Sequence, residues 1–161
     1  MHIETERKFL VRSDAYKAFA TASHHIRQGY IAHDGGNTVR VRLWDEQGVL
    51  TIKGRSLDGI SRPEWEKEIP PQDALDLFPL CHGGDIDKTR YIVPASGNLS
   101  SHTLVFEVDE FHGANEGLVM AEIELPAADT PFPRPDWLGE EVTGDKRYYN
   151  SYLTQHPFTT W

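Results

Sequence analysis

Only one cysteine, Cys81, occurs in the 161 residues, so no disulfide can form within the chain. A fold that holds without cross-links fits a reducing compartment, and a cytoplasmic location is the expectation. There is no apolar run of bilayer-spanning length and no charged-then-apolar leader, so no membrane partner is expected. Bases are scarce beside acids: 16 Lys and Arg stand against 25 Asp and Glu, a formal net charge of −9. Nucleic acid normally requires a basic face, so no nucleic-acid partner is expected either. Internal repeats and low-complexity tracts are missing, and Gly35-Gly36 lacks the lysine and following helix of a phosphate-binding P-loop. The eight histidines show no metal-ligand spacing, and nothing beside Cys81 would make it a nucleophile.

What is present is a chain of one-domain length, with 39% apolar and 25% charged residues in a globular balance. Short alternating stretches dominate, separated by turns such as Asp34-Gly35-Gly36-Asn37, Glu46-Gln47-Gly48 and Asp58-Gly59. They predict antiparallel strands at 3–11, 26–32, 38–45, 48–53, 62–69, 85–93, 103–111 and 118–125. Helical patterns occupy 13–20 and 71–77, the second with proline near its start, as helices prefer. The Pro-rich stretch 127–137 reads as an irregular connection, and Asp145 predicts the cap of a terminal helix at about 145–155. Eight strands at hairpin spacing suggest a mainly β single domain over 1–161, a barrel or strongly curled sheet with a few short helices.

The alternation puts charge, rather than neutral polar residues, on one face. Side chains two apart along a strand share a face. Glu4, Glu6 and Lys8 therefore oppose Ile3 and Phe9, and Arg40 and Arg42 oppose Val39, Val41 and Leu43. Glu64, Glu66 and Glu68 oppose Trp65, while Lys88 and Arg90 oppose Tyr91. Glu107 and Asp109 oppose Phe106 and Val108, and Glu122 and Glu124 oppose Ile123 and Leu125. For any one strand, a solvated charged face over an apolar core is the simpler reading. Across all strands the positions are almost purely ionic and sorted by sign, which points instead to a charged interior. The apolar outer face would then be covered by the short helices and by a second subunit if the chain forms a homodimer. Trp44, Trp65, Trp137 and Trp161 are expected to pack on that outer face.

The pentapeptide Glu4-Thr5-Glu6-Arg7-Lys8 has the E-x-E-x-K pattern by which CYTH, or triphosphate tunnel, proteins are recognised. The rest of the chain resembles that family in order. Gln28-Gly29-Tyr30, Arg40-Val41-Arg42, Thr51-Ile52-Lys53 and Glu64-Trp65-Glu66 follow the motif. Then come Lys88-Thr89-Arg90-Tyr91, Phe106-Glu107-Val108-Asp109, Glu122-Ile123-Glu124 and a closing Glu141 to Tyr148 similar to the carboxy-terminal element of short bacterial members. The resemblance covers nearly the whole chain. It implies an eight-stranded antiparallel barrel enclosing a charged tunnel that binds a triphosphate and divalent cations.

By that resemblance Lys8, Arg40, Arg42, Lys53, Lys88 and Arg90 would contact phosphates, with Lys146 added from the terminal helix. Glu4, Glu6, Glu122 and Glu124 would lead as metal ligands, and Glu64, Glu66 and Asp109 would hold a second ion or position water. Oxygen-only donors select hard ions, so Mg2+ or Mn2+ is expected. Arginine forks suit bidentate phosphate capture, and lysines act as point charges. Some relatives pair a lysine with a tyrosine for proton handling, which maps to Lys53 and Tyr30, and Lys88 is a further catalytic candidate. The crowded cations imply an alkaline optimum. The implied reaction is hydrolysis of a small-molecule triphosphate, foremost inorganic tripolyphosphate to pyrophosphate and phosphate. A class IV-like adenylate cyclase, a thiamine triphosphatase or a polyphosphate- or nucleotide-binding module without turnover are the rival uses of the same tunnel.

Overall fold

Nine strands form one antiparallel sheet in a computed structural model that describes residues 1–95 and 103–161. They are β1 (His2–Val11), β2 (Ala22–Asp34), β3 (Asn37–Trp44), β4 (Gln47–Lys53), β5 (Ser61–Ile69), β6 (His82–Pro94), β7 (Val105–Phe111), β8 (Val119–Glu124) and β9 (Leu138–Glu141). Neighbours run β5-β4-β3-β2-β6-β7-β8-β1, and the amino-terminal half of β1 pairs back onto β5, from His2↔Glu64 to Thr5↔Ser61. That pairing closes an eight-stranded barrel.

β9 is an addition to the expected eight. It takes over the edge of β1 where β5 ends, pairing Phe9 with Glu141 and Val11 with Leu138. A four-residue strand, Leu-Gly-Glu-Glu, is too short for alternation to reveal. Its glycine is required by proximity, since a Cβ at Gly139 would lie 2.8 Å from the Leu10 carbonyl oxygen.

Most of the apolar core lies outside the barrel wall. Phe9, Val93, Phe106, Val108, Ala121 and Ile123 meet Tyr16 from below and Phe132 and Trp137 from the Pro-rich connection. Tyr16 sits on a 3-10 turn, Ala15–Phe19, where a helix over 13–20 was expected. A short helix, α1 (Pro71–Leu77), brings Ala74 over Val41, with Phe78 just beyond it. Ile3, Ile52 and Trp65, on the outer faces of β1, β4 and β5, stay 46%, 42% and 43% exposed, so the short helices cover only part of the wall. Among the described residues no helix is long and apolar enough to cross a membrane.

The interior itself changes character along the strands. Leu10, Ile86, Phe111 and Met120 share the inward parity of Lys8, Lys88, Asp109 and Glu122, one step nearer one end of the barrel. There Tyr148, Leu153 and Phe158 of the carboxy-terminal segment pack among them and fill that end. The segment is not the continuous helix expected at about 145–155. It is a 3-10 turn, Lys146–Tyr148, and a single helical turn, α2 (Asn150–Leu153), broken at Tyr149, which is extended with φ −71° and ψ 134°. Asp145 does cap the first turn, accepting from the Arg147 N–H. The break is set by tertiary contacts, which seat Leu153 in the apolar end and Asn150 among the buried cations.

Two tryptophans differ from the expectation of outward packing. Trp44 has the parity of Arg40 and Arg42, and its ring centre lies 5.8 Å from the Arg42 guanidinium and 5.7 Å from that of Arg90. Strand geometry puts it on the inner face, and the negative face of an indole attracts both cations. Trp161 packs edge-on against Tyr148 beside the terminal segment rather than on the barrel wall.

Candidate active site

Ten of the residues singled out in the sequence, Glu4, Glu6, Lys8, Tyr30, Arg40, Arg42, Lys53, Lys88, Arg90 and Glu122, line one cavity of about 130 Å³ within the barrel. Adjacent strands deliver them in register: Lys8 faces Glu122, Tyr30 faces Arg40, and Arg62 faces Glu4. The β4–β5 loop, through Ser56, Gly59 and Ile60, and the terminal segment, through Thr143, Gly144 and Tyr149, complete the walls.

The cations on β3 are poorly matched by acids. Arg40 donates to Thr51 Oγ1 at 3.2 Å and lies 3.8 Å from Glu66, and its Nε is buried with no partner. Arg42 donates to the Gln28 side-chain carbonyl at 2.8 Å and has no carboxylate partner among the described residues. Burial, with Arg40 and Arg90 close by, pulls its guanidinium down to about 9, still charged at neutral pH. On β6, by contrast, Arg90 forms a fork with both oxygens of Asp109 at 2.7 and 2.8 Å and reaches Glu107 at 2.9 Å. Lys88, 1% exposed, touches Asp109 at 2.8 Å and donates to Asn150 Oδ1 at 2.9 Å. Burial, helped by Arg90 and Arg42, depresses its ammonium despite Asp109.

The opposite wall is acidic. Glu4 accepts from Lys53 at 2.7 Å, and Glu64 lies 3.5 Å from the same ammonium. Lys8 lies 3.5 Å from Glu122 and donates to the Tyr148 carbonyl at 3.0 Å. Burial, then the neighbouring charges of Glu122 and Glu4, push the Glu6 carboxyl well above the usual range. Against the effect of burial, Lys8, Arg90 and Lys88 hold Glu122 well below it, with Glu6 hydrogen-bonded to it. Burial and a hydrogen bond to Glu4 raise Glu64 to about 7, while Lys53 and that bond hold Glu4 low despite its own burial. In each of two carboxyl pairs, Glu6 with Glu122 and Glu4 with Glu64, one member is raised and the other lowered, the pattern expected of two carboxyls that share one proton. No three carboxyl, imidazole or thiol groups already stand at metal-ligand spacing among the described residues.

These shared protons predict a pH dependence. A carboxyl that titrates higher in the folded chain binds more protons there, so its contribution to stability is full below its ordinary value of 4.5 and is lost as pH rises through the folded value. In chelator-treated protein the melting temperature should therefore fall between pH 4.5 and about 7, and Glu64→Gln should flatten that fall. The depressed carboxylates Glu4, Asp109 and Glu122 act oppositely, but below this window. Melts of the variant running parallel to those of the unaltered protein would show that no proton is shared.

Five of the residues singled out do not line the cavity. Glu124 is exposed at the far end of β8, where it accepts from His2 at 2.9 Å. Glu66 accepts from Thr51 at 2.9 Å beside the rim, and Glu64 stands behind Glu4. Both oxygens of Asp109 are taken by Arg90. Lys146 is exposed on its 3-10 turn because the helix that would have aimed it inward is absent. Of the residues expected to handle protons, Lys53 is paired with two carboxylates rather than crowded by cations, and the Tyr30 hydroxyl accepts from Gln28 at 3.1 Å. The lining residues with no role assigned from sequence include Gln28, Arg62 and Asn150. Arg62 shares the parity of Glu64 and Glu66, the signal that would have found it. Asn150 had none, since its position depends on the broken terminal helix.

A family model described as "CYTH domain" matches residues 2–151. The chain is 49% identical over 156 residues to an "Inorganic triphosphatase" of Acetivibrio thermocellus, covering 96% of this chain and 95% of that one. To an "Inorganic triphosphatase" of Nitrosomonas europaea it is 36% identical, covering 93% and 95%. Among solved structures, that of "the inorganic triphosphatase NE1496" matches with a TM-score of 0.61 at 32% identity, over 94% of this chain and 97% of that one.

Proposed function

The chain belongs to the CYTH domain family, and on that footing we propose that it hydrolyses inorganic tripolyphosphate to pyrophosphate and phosphate with a divalent cation. The observation that carries this reading is the polarised cavity: Arg40 and Arg42, poorly matched by acids, line it together with the carboxyls of Glu4, Glu6 and Glu122. One side suits phosphate oxygens and the other suits a hard metal ion.

Glu4, Glu6 and Glu122 would hold the cation, and Glu64 is placed to join them. Their donors are all oxygen, which favours Mg2+ or Mn2+ over softer ions. When bound, the ion supplies charge neutralisation and Lewis acidity at the phosphoryl oxygens. Arg40 and Arg42 grip the phosphates as forks, and their isolation from carboxylates leaves them free to do so. Lys8 and Lys53, now 3.5 Å from Glu122 and 2.7 Å from Glu4, would turn part of that contact to phosphate oxygens. Arg90 is held rigid by Asp109 and Glu107 and presents a fixed positive field to the terminal phosphate. Water attacks that phosphorus in line, the P–O bond to the neighbouring phosphate breaks, and pyrophosphate leaves. Lys88, whose surroundings favour its neutral form, is the group we assign to receive the water's proton.

Product analysis after incubation with tripolyphosphate, ATP and thiamine triphosphate tests the reading. Tripolyphosphate should be cleaved fastest and yield equal pyrophosphate and phosphate. Pyrophosphate should turn over about a hundredfold more slowly, because it cannot span the β3 arginines and the acidic wall together. Equal rates on tripolyphosphate and pyrophosphate would place the activity in a different kind of site. Faster cyclisation of ATP or cleavage of thiamine triphosphate would move the substrate within the same cavity.

A further inference from the structure

Two buried cations of the cavity, Arg42 and Lys88, are joined by an uncharged relay that the reaction scheme above does not use. Arg42 can only donate, so the Gln28 oxygen must face its Nε, at 2.8 Å. That choice turns the Gln28 amide nitrogen toward Tyr30, at 3.1 Å, and toward Asn150 Oδ1, at 3.3 Å. The Gln28 N–H needs an acceptor there, so the Asn150 oxygen faces it, and Lys88 Nζ donates to that same oxygen at 2.9 Å. Both amide orientations follow from Arg42, an obligate donor, and the chain of bonds runs Arg42 to Gln28 to Asn150, with Lys88 arriving at the same oxygen from the other side. Gln28 and Lys88 are each 1% exposed, so neither finds a substitute partner in bulk water. Asn150 comes from the terminal segment, whereas the other members come from β2, β3 and β6.

We propose that Asn150 is a positioning residue for the triphosphate reaction: its single oxygen aims Lys88 directly, and Arg42 through Gln28, at the bound phosphates. The proposal rests on the triphosphatase reading. Neutrality is the point of the relay. A carboxylate in its place would orient the same donors but cancel positive charge needed by an anionic substrate, and an apolar residue would leave Lys88 with Asp109 alone and the Gln28 amide with Tyr30 alone.

The test uses two near-isosteric variants of the full chain. Asn150→Leu removes the acceptor and should lower kcat/KM for tripolyphosphate by about tenfold or more. Adding Gln28→Leu should cost little beyond that, because both changes cut one relay, whereas two independent structural defects would add. Asn150→Asp keeps the acceptor geometry and should raise KM about tenfold with kcat less affected, which loss of packing would not produce. Equilibrium binding of tripolyphosphate to chelator-treated protein, which cannot turn over, should weaken in the Asp variant by the same factor. Additive losses in the double variant, or a wild-type KM in Asn150→Asp, would overturn the proposal, and the Asp variant decides alone if the Leu variant does not fold. Absence of tripolyphosphate binding and cleavage by the unaltered protein would instead sink the triphosphatase reading itself.

Discussion

Arg40→Met is expected to reduce tripolyphosphate turnover by about a thousandfold, the upper end of what one preorganised donor contributes, while the ligand-free protein melts at the same temperature or higher. Arg40 is held by one long hydrogen bond to Thr51, its Nε is buried without a partner, and the nearest carboxylate oxygen is 3.8 Å away. Two residues on, Arg42 is destabilised by burial and then by Arg40 itself. Folding therefore brings positive charges together without pairing them. Methionine keeps most of the length and removes both the orphaned donor and the repulsion. Tripolyphosphate with Mg2+ should stabilise the unaltered protein by mass action, by ~2.7 kcal/mol at a hundred times its dissociation constant, and the variant should lose most of that gain. Initial rates and thermal melts with and without tripolyphosphate measure both halves. Near-normal turnover would mean that Arg40 contacts no substrate, and a melting temperature that falls along with activity would make it a structural residue.

The same charge sorting explains what could be read in advance. Arg40 with Arg42, Lys88 with Arg90, and Glu4 with Glu6 recur two apart, so strand periodicity alone showed that they share faces. Closure of β1 onto β5 then turned a shared face into a shared cavity. What periodicity cannot report is depth along the barrel. Glu122 and Glu124 have identical parity, yet one lies beside Lys8 at the centre and the other meets His2 at the end. Nor can it tell a charge that is free from one already matched: Asp109 looked like Glu122 until its two oxygens were seen bound to Arg90. The terminal segment was the least legible part. Tyr148, Tyr149, Tyr152 and Leu153 suit a helical face, but the apolar barrel end selects Leu153 and the buried cations select Asn150. Satisfying both breaks the helix at Tyr149. Trp44 was misplaced for a simpler reason, because aromatic character suggested the apolar face although its parity with Arg42 placed it inward.

Removing divalent metal should abolish tripolyphosphate cleavage, and Mg2+ or Mn2+ should restore it. The empty cavity already shows the need. Glu6 and Glu122 stand close enough to share a proton, as do Glu4 and Glu64, with Lys8 and Lys53 the cations paired directly with them. A triphosphate entering that space adds negative charge next to four carboxyl groups, and protons alone cannot offset it at the alkaline pH expected for the reaction. A divalent ion held by Glu4, Glu6 and Glu122 would supply the offsetting charge. Glu6→Gln separates this account from a passive acidic lining. The amide can still donate to Glu122, so the fold should persist and the melting temperature should not fall, but one anionic ligand is gone. Activity should drop by on the order of a hundredfold, and the rise in melting temperature that Mg2+ alone gives the unaltered protein should shrink in parallel. Zn2+ should restore activity poorly, because no histidine or cysteine lines the cavity among the described residues. Full turnover in excess chelator, or a Glu6→Gln variant that binds Mg2+ and cleaves tripolyphosphate normally, would assign the acidic wall to holding the lysines rather than a metal.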